Sequence, residues 1–260
     1  MPSPTFIKAA AGLQCGFGDF LGPELLNDIK NQGFTILRLD IQEVSPQKGD
    51  ALAQEVIDAG MQPLCIVRYA EQLKHLPKGT LAELGNEPDI SSNKWIVESY
   101  TREAYRCVEE ALKLDMRLYL GAVSNLHKRG FDFLQKLPWN SWPSACCSVH
   151  RYPDGNSPLN AHKGSSSREE EIKRLRDIIG YSRPIAITEV GYHDTQNGWS
   201  PEAVANHMEW ERKFFSNQGI EIVVAYQLND GNDSSIDAHF GFRNSSYEWK
   251  PVAKSFTEAV

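Results

Sequence analysis

Eight short β-rich runs recur along this chain with amphipathic helical stretches between them, and this alternation limits its possible folds more than any other feature. The runs fall at 12–15, 36–40, 64–68, 81–87, 118–123, 147–152, 185–188 and 222–227. Helical stretches at 23–32 and 50–59 stop at Gly33 and Gly60. The stretch at 167–179 carries its acidic residues first and its basic residues later, and Ser200-Pro201 opens another that runs to Gly219. A single helix between consecutive strands forces parallel pairing, because a hairpin cannot join parallel strands. Eight such units close most readily into a (β/α)8 barrel. No linker, low-complexity tract or repeat interrupts the pattern, so the expectation is one domain over residues 1–260.

A chain of 260 residues that is 41% hydrophobic can bury one substantial core, and it has the usual size of a single α/β barrel. The 27 basic residues are scattered against 34 acidic ones, giving a net charge of -7 and arguing against a nucleic-acid partner. No apolar run reaches membrane-spanning length, and the N-terminus lacks a basic region followed by an apolar one. The expectation is a monomer with no membrane partner and no export signal, although a chain trimmed of a leader would read the same. The five cysteines cannot all pair internally, and Cys146 and Cys147 are adjacent, which suits a reducing, cytoplasmic compartment. The seven histidines form no pair at ligand spacing, and C-x-x-C, G-x-S-x-G and P-loop motifs are absent. The glycine pattern around Phe17 misses the dinucleotide spacing and reads as a strand-to-helix turn. Neither a metal nor an organic cofactor is expected.

Two carboxylates carry the functional signal. Glu87 in L-G-N-E-P-D and Glu189 in I-T-E-V-G-Y each follow a short apolar run, at the ends of the fourth and seventh strands. In a (β/α)8 barrel the chemistry sits at the C-terminal ends of the strands. Strands three places apart are roughly 14 Å across such a barrel, and two inward glutamates of roughly 4 Å each leave a gap near the roughly 5 to 5.5 Å of retaining glycosidases. Such a pair is what glycosidic-bond cleavage needs, with one group protonating the leaving oxygen and the other attacking or activating water. Strand alternation also turns Glu83 inward, where it reads as a structural hydrogen-bonding residue.

Four segments in order resemble the clan A glycoside hydrolases, including the family 5 cellulase and mannanase type, over most of the chain. They are Gly33-Phe34-Thr35-Ile36-Leu37-Arg38, Glu83-Leu84-Gly85-Asn86-Glu87-Pro88, His150-Arg151-Tyr152-Pro153 and Thr188-Glu189-Val190-Gly191-Tyr192, with Trp249-Lys250-Pro251 before the last helix. The resemblance implies that Glu189 is the nucleophile and Glu87 the acid/base. It also implies that Asn86 bonds the 2-hydroxyl of the sugar being cleaved and that His150 shapes that subsite. Arg38 would keep Glu189 ionised, Tyr152 would donate to the same carboxylate, and the charge of Glu189 would hold Glu87 protonated for the first step. Pro88 is expected to hold Glu87 extended at the strand end.

The eighth strand departs from the family pattern. Tyr226 or Gln227 stands where family members often carry a tryptophan under the cleaved sugar. The third strand ends Val67-Arg68-Tyr69, without the histidine many family 5 members carry nearby. Trp139 and Trp142 precede the sixth strand and read as packing at the far face, whereas Trp199 follows the seventh and could stack on a sugar. The loops at 153–166 and 229–248 are the longest on the site face, and His239, Phe240 and Phe242 in the second are candidates for substrate contact. The near-minimal size favours an open cleft and endo action on a β-linked polysaccharide, with oligo- or polysaccharide as the partner. The competing readings are an exo-acting glycosidase or transglycosylase and a catalytically silent carbohydrate-binding barrel.

Overall fold

A computed structural model describes residues 9–15, 21–90, 92, 95–153, 156–194, 198–231 and 235–260. The strands are β1 (Ala10–Cys15), β2 (Ile36–Asp40), β3 (Gln62–Val67), β4 (Leu81–Leu84), β5 (Arg117–Val123), β6 (Cys146–Arg151), β7 (Ile185–Val190) and β8 (Ile222–Ala225). They pair in parallel in chain order, and β8 returns to β1 to close the barrel. The helices are α1 (Pro23–Asn31), α2 (Pro46–Asp58), α3 (Ala70–Leu73), α4 (Val97–Lys113), α5 (Lys128–Leu134), α6 (Arg168–Ile179), α7 (Pro201–Asn217) and α8 (Pro251–Thr257). The fold is therefore the expected (β/α)8 barrel. The glycine-rich segment at Phe17 lies outside the described residues.

Helix starts follow local chemistry. Ser45, Ser167 and Ser200 each accept a hydrogen bond from a backbone N–H in the first turn, and proline fills the first position of α1, α2, α7 and α8. The Ser45-Pro46 pair starts α2 four residues before the expected Asp50, because the cap outweighs the poor propensity of Gly49.

Alternation along the strands builds two cores. Ile36, Leu64, Leu81, Tyr119, Cys146, Ala186, Ile222 and Val224 form a small buried cluster with at least one residue from each of β2 to β8. A far larger cluster takes the intervening strand residues, such as Leu37, Cys65, Ala82, Leu120, Cys147, Ile187 and Val223, together with the apolar faces of the helices. Gly12 lets β1 approach β8 closely, since a Cβ there would lie 2.8 Å from Val224 Cγ2. All five cysteines are buried. No helix among the described residues is long and apolar enough to cross a membrane.

Between β6, α6 and α7 lies a buried charge network centred on Glu211. Its carboxylate accepts from Arg151 at 3.2 Å, from Arg168 at 3.0 and 2.9 Å, and from the Tyr192 hydroxyl at 2.8 Å. Removing one member of such a cluster strands the opposite charge in a dry interior. Glu211→Ala is expected to lower stability by about 3–5 kcal/mol, measured as a fall in the urea midpoint; an unchanged midpoint would mean that water reaches the network.

Candidate active site

Moving up the inward face toward the C-terminal strand ends, apolar residues give way to polar ones. On β2, Ile36 is followed by Arg38; on β4, Leu81 by Glu83; on β6, Cys146 by Ser148 and His150; on β7, Ala186 by Thr188. Arg38 is fully buried and binds four partners. Its Nε donates to Glu83 at 2.7 Å, one terminal nitrogen donates to Gln14 at 2.7 Å and Glu189 at 2.6 Å, and the other donates to Asn86 at 2.9 Å. Glu83 also accepts from Thr188 Oγ1 at 2.6 Å, in the supporting role expected of it.

The seventh strand brings Glu189 inward by an irregularity. Thr188 faces into the barrel and Ile187 and Val190 face out, so strict alternation would leave Glu189 outside. The register against β8 shifts between Ile187 and Val190, and both Thr188 and Glu189 turn inward. Glu189 is 6% exposed and also accepts from the Tyr152 hydroxyl at 2.6 Å. Burial alone would raise its pKa, but the charges of His150 and Arg38 and the bonds from Tyr152 and Arg38 outweigh it, and the carboxyl is held below its ordinary value.

Glu87 reaches the site by a different route. Strand β4 stops at Leu84 rather than continuing to Glu87, and the chain turns through Gly85 at φ 71° and Glu87 at φ 47°. The extended backbone expected of Glu87 is thus replaced by a left-handed one. Pro88 disfavours the right-handed helical alternative, while the Glu87 N–H donates to the Ala122 carbonyl on β5 at 2.9 Å and anchors the turn. The Glu87 side chain is 22% exposed.

His150 lies beneath both carboxylates, with Nδ1 3.3 Å from Glu87 Oε1 and 3.4 Å from Glu189 Oε2, and Nε2 3.4 Å from Arg38. Burial lowers the imidazole pKa, but the two carboxylates outweigh burial and the Arg38 charge, so the net direction is up. Burial and the Glu189 carboxylate push the Tyr152 hydroxyl well above its ordinary pKa, keeping it a donor. Glu87, His150 and Glu189 each offer an atom within 4.8 Å of the other two. That spacing could hold a cation, as could Asp194, Asp230 and His239. In each set a protein cation is already in place: Arg38 on Glu189 at 2.6 Å, and Lys250 on Asp194 and Asp230 at 2.9 and 2.7 Å.

Above the pair opens a cleft of about 640 Å³, lined by Asn86, Glu87, Tyr152, Glu189, Trp199, Tyr226 and Phe240 among others. Strand β8 ends at Ala225, short of the expected residue 227, so both candidates read on it lie just past its end; Tyr226 lines the cleft, edge-on to Tyr152 and Phe240, and Gln227 does not. Trp199 lines it with its edge against His207. Phe240 is in the wall, but Phe242 is not a substrate residue: it is 1% exposed and packs on Phe34 and Phe256 in the core. His239 lies beside Asp194 and Asp230 rather than in the cleft wall. Trp139 and Trp142 are buried packing residues, as expected.

Several site residues were not anticipated. Gln14 shares the inward face of β1 with Gly12, so strand parity alone could have found it. Asn125 grips the Tyr152 backbone from both sides, donating to its carbonyl at 2.9 Å and accepting from its N–H at 3.2 Å. No local motif signals that contact.

No family model matches the sequence, and no curated protein matches it. Solved structures do match. Thermotoga maritima Cel5A, in complex with cellobiose, aligns at TM-score 0.64 and 14% identity over 98% of this chain and 96% of that one. A Rhizomucor miehei β-1,3-glucanosyltransferase in complex with laminaritriose aligns at 0.70 and 12%, covering 94% and 96%. A family 39 glycoside hydrolase from Bacteroides cellulosilyticus WH2 aligns at 0.69 and 15% over 98% of this chain, which spans 64% of that longer one. The fold is that of the clan A glycoside hydrolase barrels. At these identities the likeness to clan A concerns the barrel, and the chemistry rests on this chain's own residues.

Proposed function

We propose that the protein is a retaining β-glycoside hydrolase that cleaves within a β-linked polysaccharide, with Glu189 as nucleophile and Glu87 as acid/base. The observation that carries this reading is the asymmetry of a close carboxylate pair. Glu189 is buried and held below its ordinary pKa by His150, Arg38 and the Tyr152 hydroxyl, while Glu87 is partly exposed in the cleft where a leaving oxygen can reach it. With their facing atoms within 4.8 Å of each other, the two carboxyls suit the roughly 5 to 5.5 Å of retaining enzymes better than the roughly 6.5 to 9.5 Å of inverting ones. In the first step Glu87 gives its proton to the glycosidic oxygen as Glu189 attacks the anomeric carbon, forming an ester to the sugar. Glu87 then takes a proton from water, which opens the ester and regenerates Glu189. Asn86, anchored by Arg38, is suited to the 2-hydroxyl.

Endo action is supported by the shape of the groove. Beyond Asn86 it continues into a depression lined by Asp40, Gln42, Glu43, Arg68, Ser92 and Trp95. In the other direction it runs out past His127 and Arg129. Depressions on both sides of the carboxylate pair suit a chain passing over it rather than a chain end.

Reducing-sugar release from β-glucans, mannans, xylans and galactans tests the reading. Release from one polymer, lost in both Glu189→Gln and Glu87→Gln, is expected; activity surviving both changes would overturn the assignment. Tight binding to a polymer without release would point to a carbohydrate-recognition barrel, and transfer products would point to a transglycosylase. Tyr152→Phe removes a charge-assisted hydrogen bond worth about 1.5–3 kcal/mol. It is expected to lower kcat roughly 10- to 100-fold, with circular dichroism unchanged; wild-type kcat would remove Tyr152 from the mechanism.

A further inference from the structure

Past Ser124 and Asn125 the catalytic cleft borders a second depression of about 690 Å³, lined by His127, Lys128, Arg129, Asp132, Lys163, Gly164 and Arg174. His127 and Arg129 line both, so the two adjoin. The depression has four permanent cations against one carboxylate in its wall, on a chain whose net charge is -7. Its charges are only partly compensated from within. Lys128 pairs with Asp132 at 2.5 Å, and Arg129 reaches Asp89 at 3.2 Å while also bonding Ser124 at 3.0 Å. Among the described residues, Lys163 and Arg174 have no carboxylate within 4.0 Å. Arg174 is nonetheless held in place, its guanidinium lying 4.1 Å from the centre of the Phe131 ring. Asp132 and Glu170 lie close enough to feel the Arg174 charge but make no ion-pair contact with it, and a cation so positioned in the wall beside the cleft is suited to binding an anion at little ordering cost.

We propose that this depression is a subsite for a sugar bearing an anionic group, a carboxylate or a sulfate ester, carried on the same glycan whose bond lies over Glu87 and Glu189. The inference deepens the hydrolase reading and names the class of chain that reading would take. Lys163 and Arg174 supply the charge that no described carboxylate meets within 4.0 Å, Arg129 links the subsite to the catalytic cleft, and Asp132 and Asp89 keep Lys128 and Arg129 in place. Selection is electrostatic, so it weakens with salt.

The test is calorimetric titration of the Glu189→Gln variant, which requires no turnover. The probes are hexasaccharides of β-1,4- and β-1,3-linked glucose, their forms oxidised at C6 to uronates, and their 6-O-sulfated forms. At least one anionic form is expected to bind about 10-fold more tightly than its neutral counterpart at 50 mM NaCl, with most of the difference gone at 500 mM. The uronate and sulfate arms tell the two anions apart. Adding Lys163→Ala with Arg174→Gln, or Lys163→Glu alone, should remove the preference while leaving neutral-sugar affinity unchanged, and Lys163→Glu should also leave the unfolding midpoint unchanged. Overturning results are no anionic form binding more tightly than its neutral counterpart, or a preference that survives both sets of substitutions. The two readings fail separately. Anionic preference in a protein that hydrolyses nothing would keep the subsite and sink the hydrolase, whereas hydrolysis of neutral polymers without anionic preference would do the reverse.

Discussion

Glu189→Ala is expected to reduce turnover of the active polymer by at least about 10⁴-fold, the order lost when a covalent nucleophile is deleted, and added azide should restore part of it as a glycosyl azide of inverted configuration. The small anion would enter the space left by the carboxylate and attack the anomeric carbon once, from the face Glu189 had used. Glu87→Ala is expected to cost about 10²- to 10⁴-fold, most for substrates with basic leaving groups. Azide should rescue that variant with retained configuration, because the sugar passes first to Glu189 and azide then attacks from the opposite face. The two products therefore assign the two roles. Rescue with the same stereochemistry in both variants, or in neither, would mean that the close carboxylate pair is not working by double displacement.

Arg38→Met is expected to be the most damaging single substitution below the catalytic pair. Arg38 is fully buried and holds two buried carboxylates, Glu83 and Glu189, along with Gln14 and Asn86. Without it those carboxylates lose their shared counter-charge, and the expected loss of stability is about 3–5 kcal/mol. Arg38→Lys keeps a charge but not the fork that meets four acceptors, and should fall in between. The pH dependence has a definite sign. Glu189 has a lowered folded pKa, so its contribution to stability is present above the ordinary carboxylate range and disappears as pH falls through that lowered value. Arg38 is one cause of the lowering, so its removal should move the acid limb of both kcat/KM and stability to higher pH. His150 has a raised folded pKa, so its contribution is complete below the ordinary imidazole value and disappears as pH rises through the folded one. Denaturant midpoints and kcat/KM between pH 3 and 9 check these directions; an acid limb that does not move would mean that Arg38 is not what keeps Glu189 ionised.

The barrel was legible because its signal is periodic. Ile36–Asp40 has its expected ends, β5 starts one residue before its expected start, and β6 lies one residue before its expected ends, since alternating burial and helix-stop glycines are local properties. The two carboxylates were legible as a pair because each glutamate sits in a short motif at or beside the end of a strand. What the local sequence could not convey was how each reaches the centre. The inward turn of Glu189 comes with a register shift of β7 against both β6 and β8, and Glu87 depends on a left-handed turn pinned to the Ala122 carbonyl across a strand boundary. Phe242 and Phe240 are two residues apart in one loop, and only packing against Phe34 and Phe256 makes the first of them core. The basic depression escaped notice for a similar reason: Arg129, Lys163 and Arg174 come from separate segments and meet only when the β5 and β6 ends are brought side by side.

The central claim is double displacement at Glu189, and proton NMR of the first product tests it most directly. The wild-type protein would be mixed with the polymer that the panel identifies, and the anomeric proton of the new reducing end followed before mutarotation. The account predicts that a β-linkage yields the β-anomer first, with the α-anomer growing in later. The α-anomer appearing first would mean direct attack by water, and would contradict a nucleophilic Glu189 held this close to Glu87.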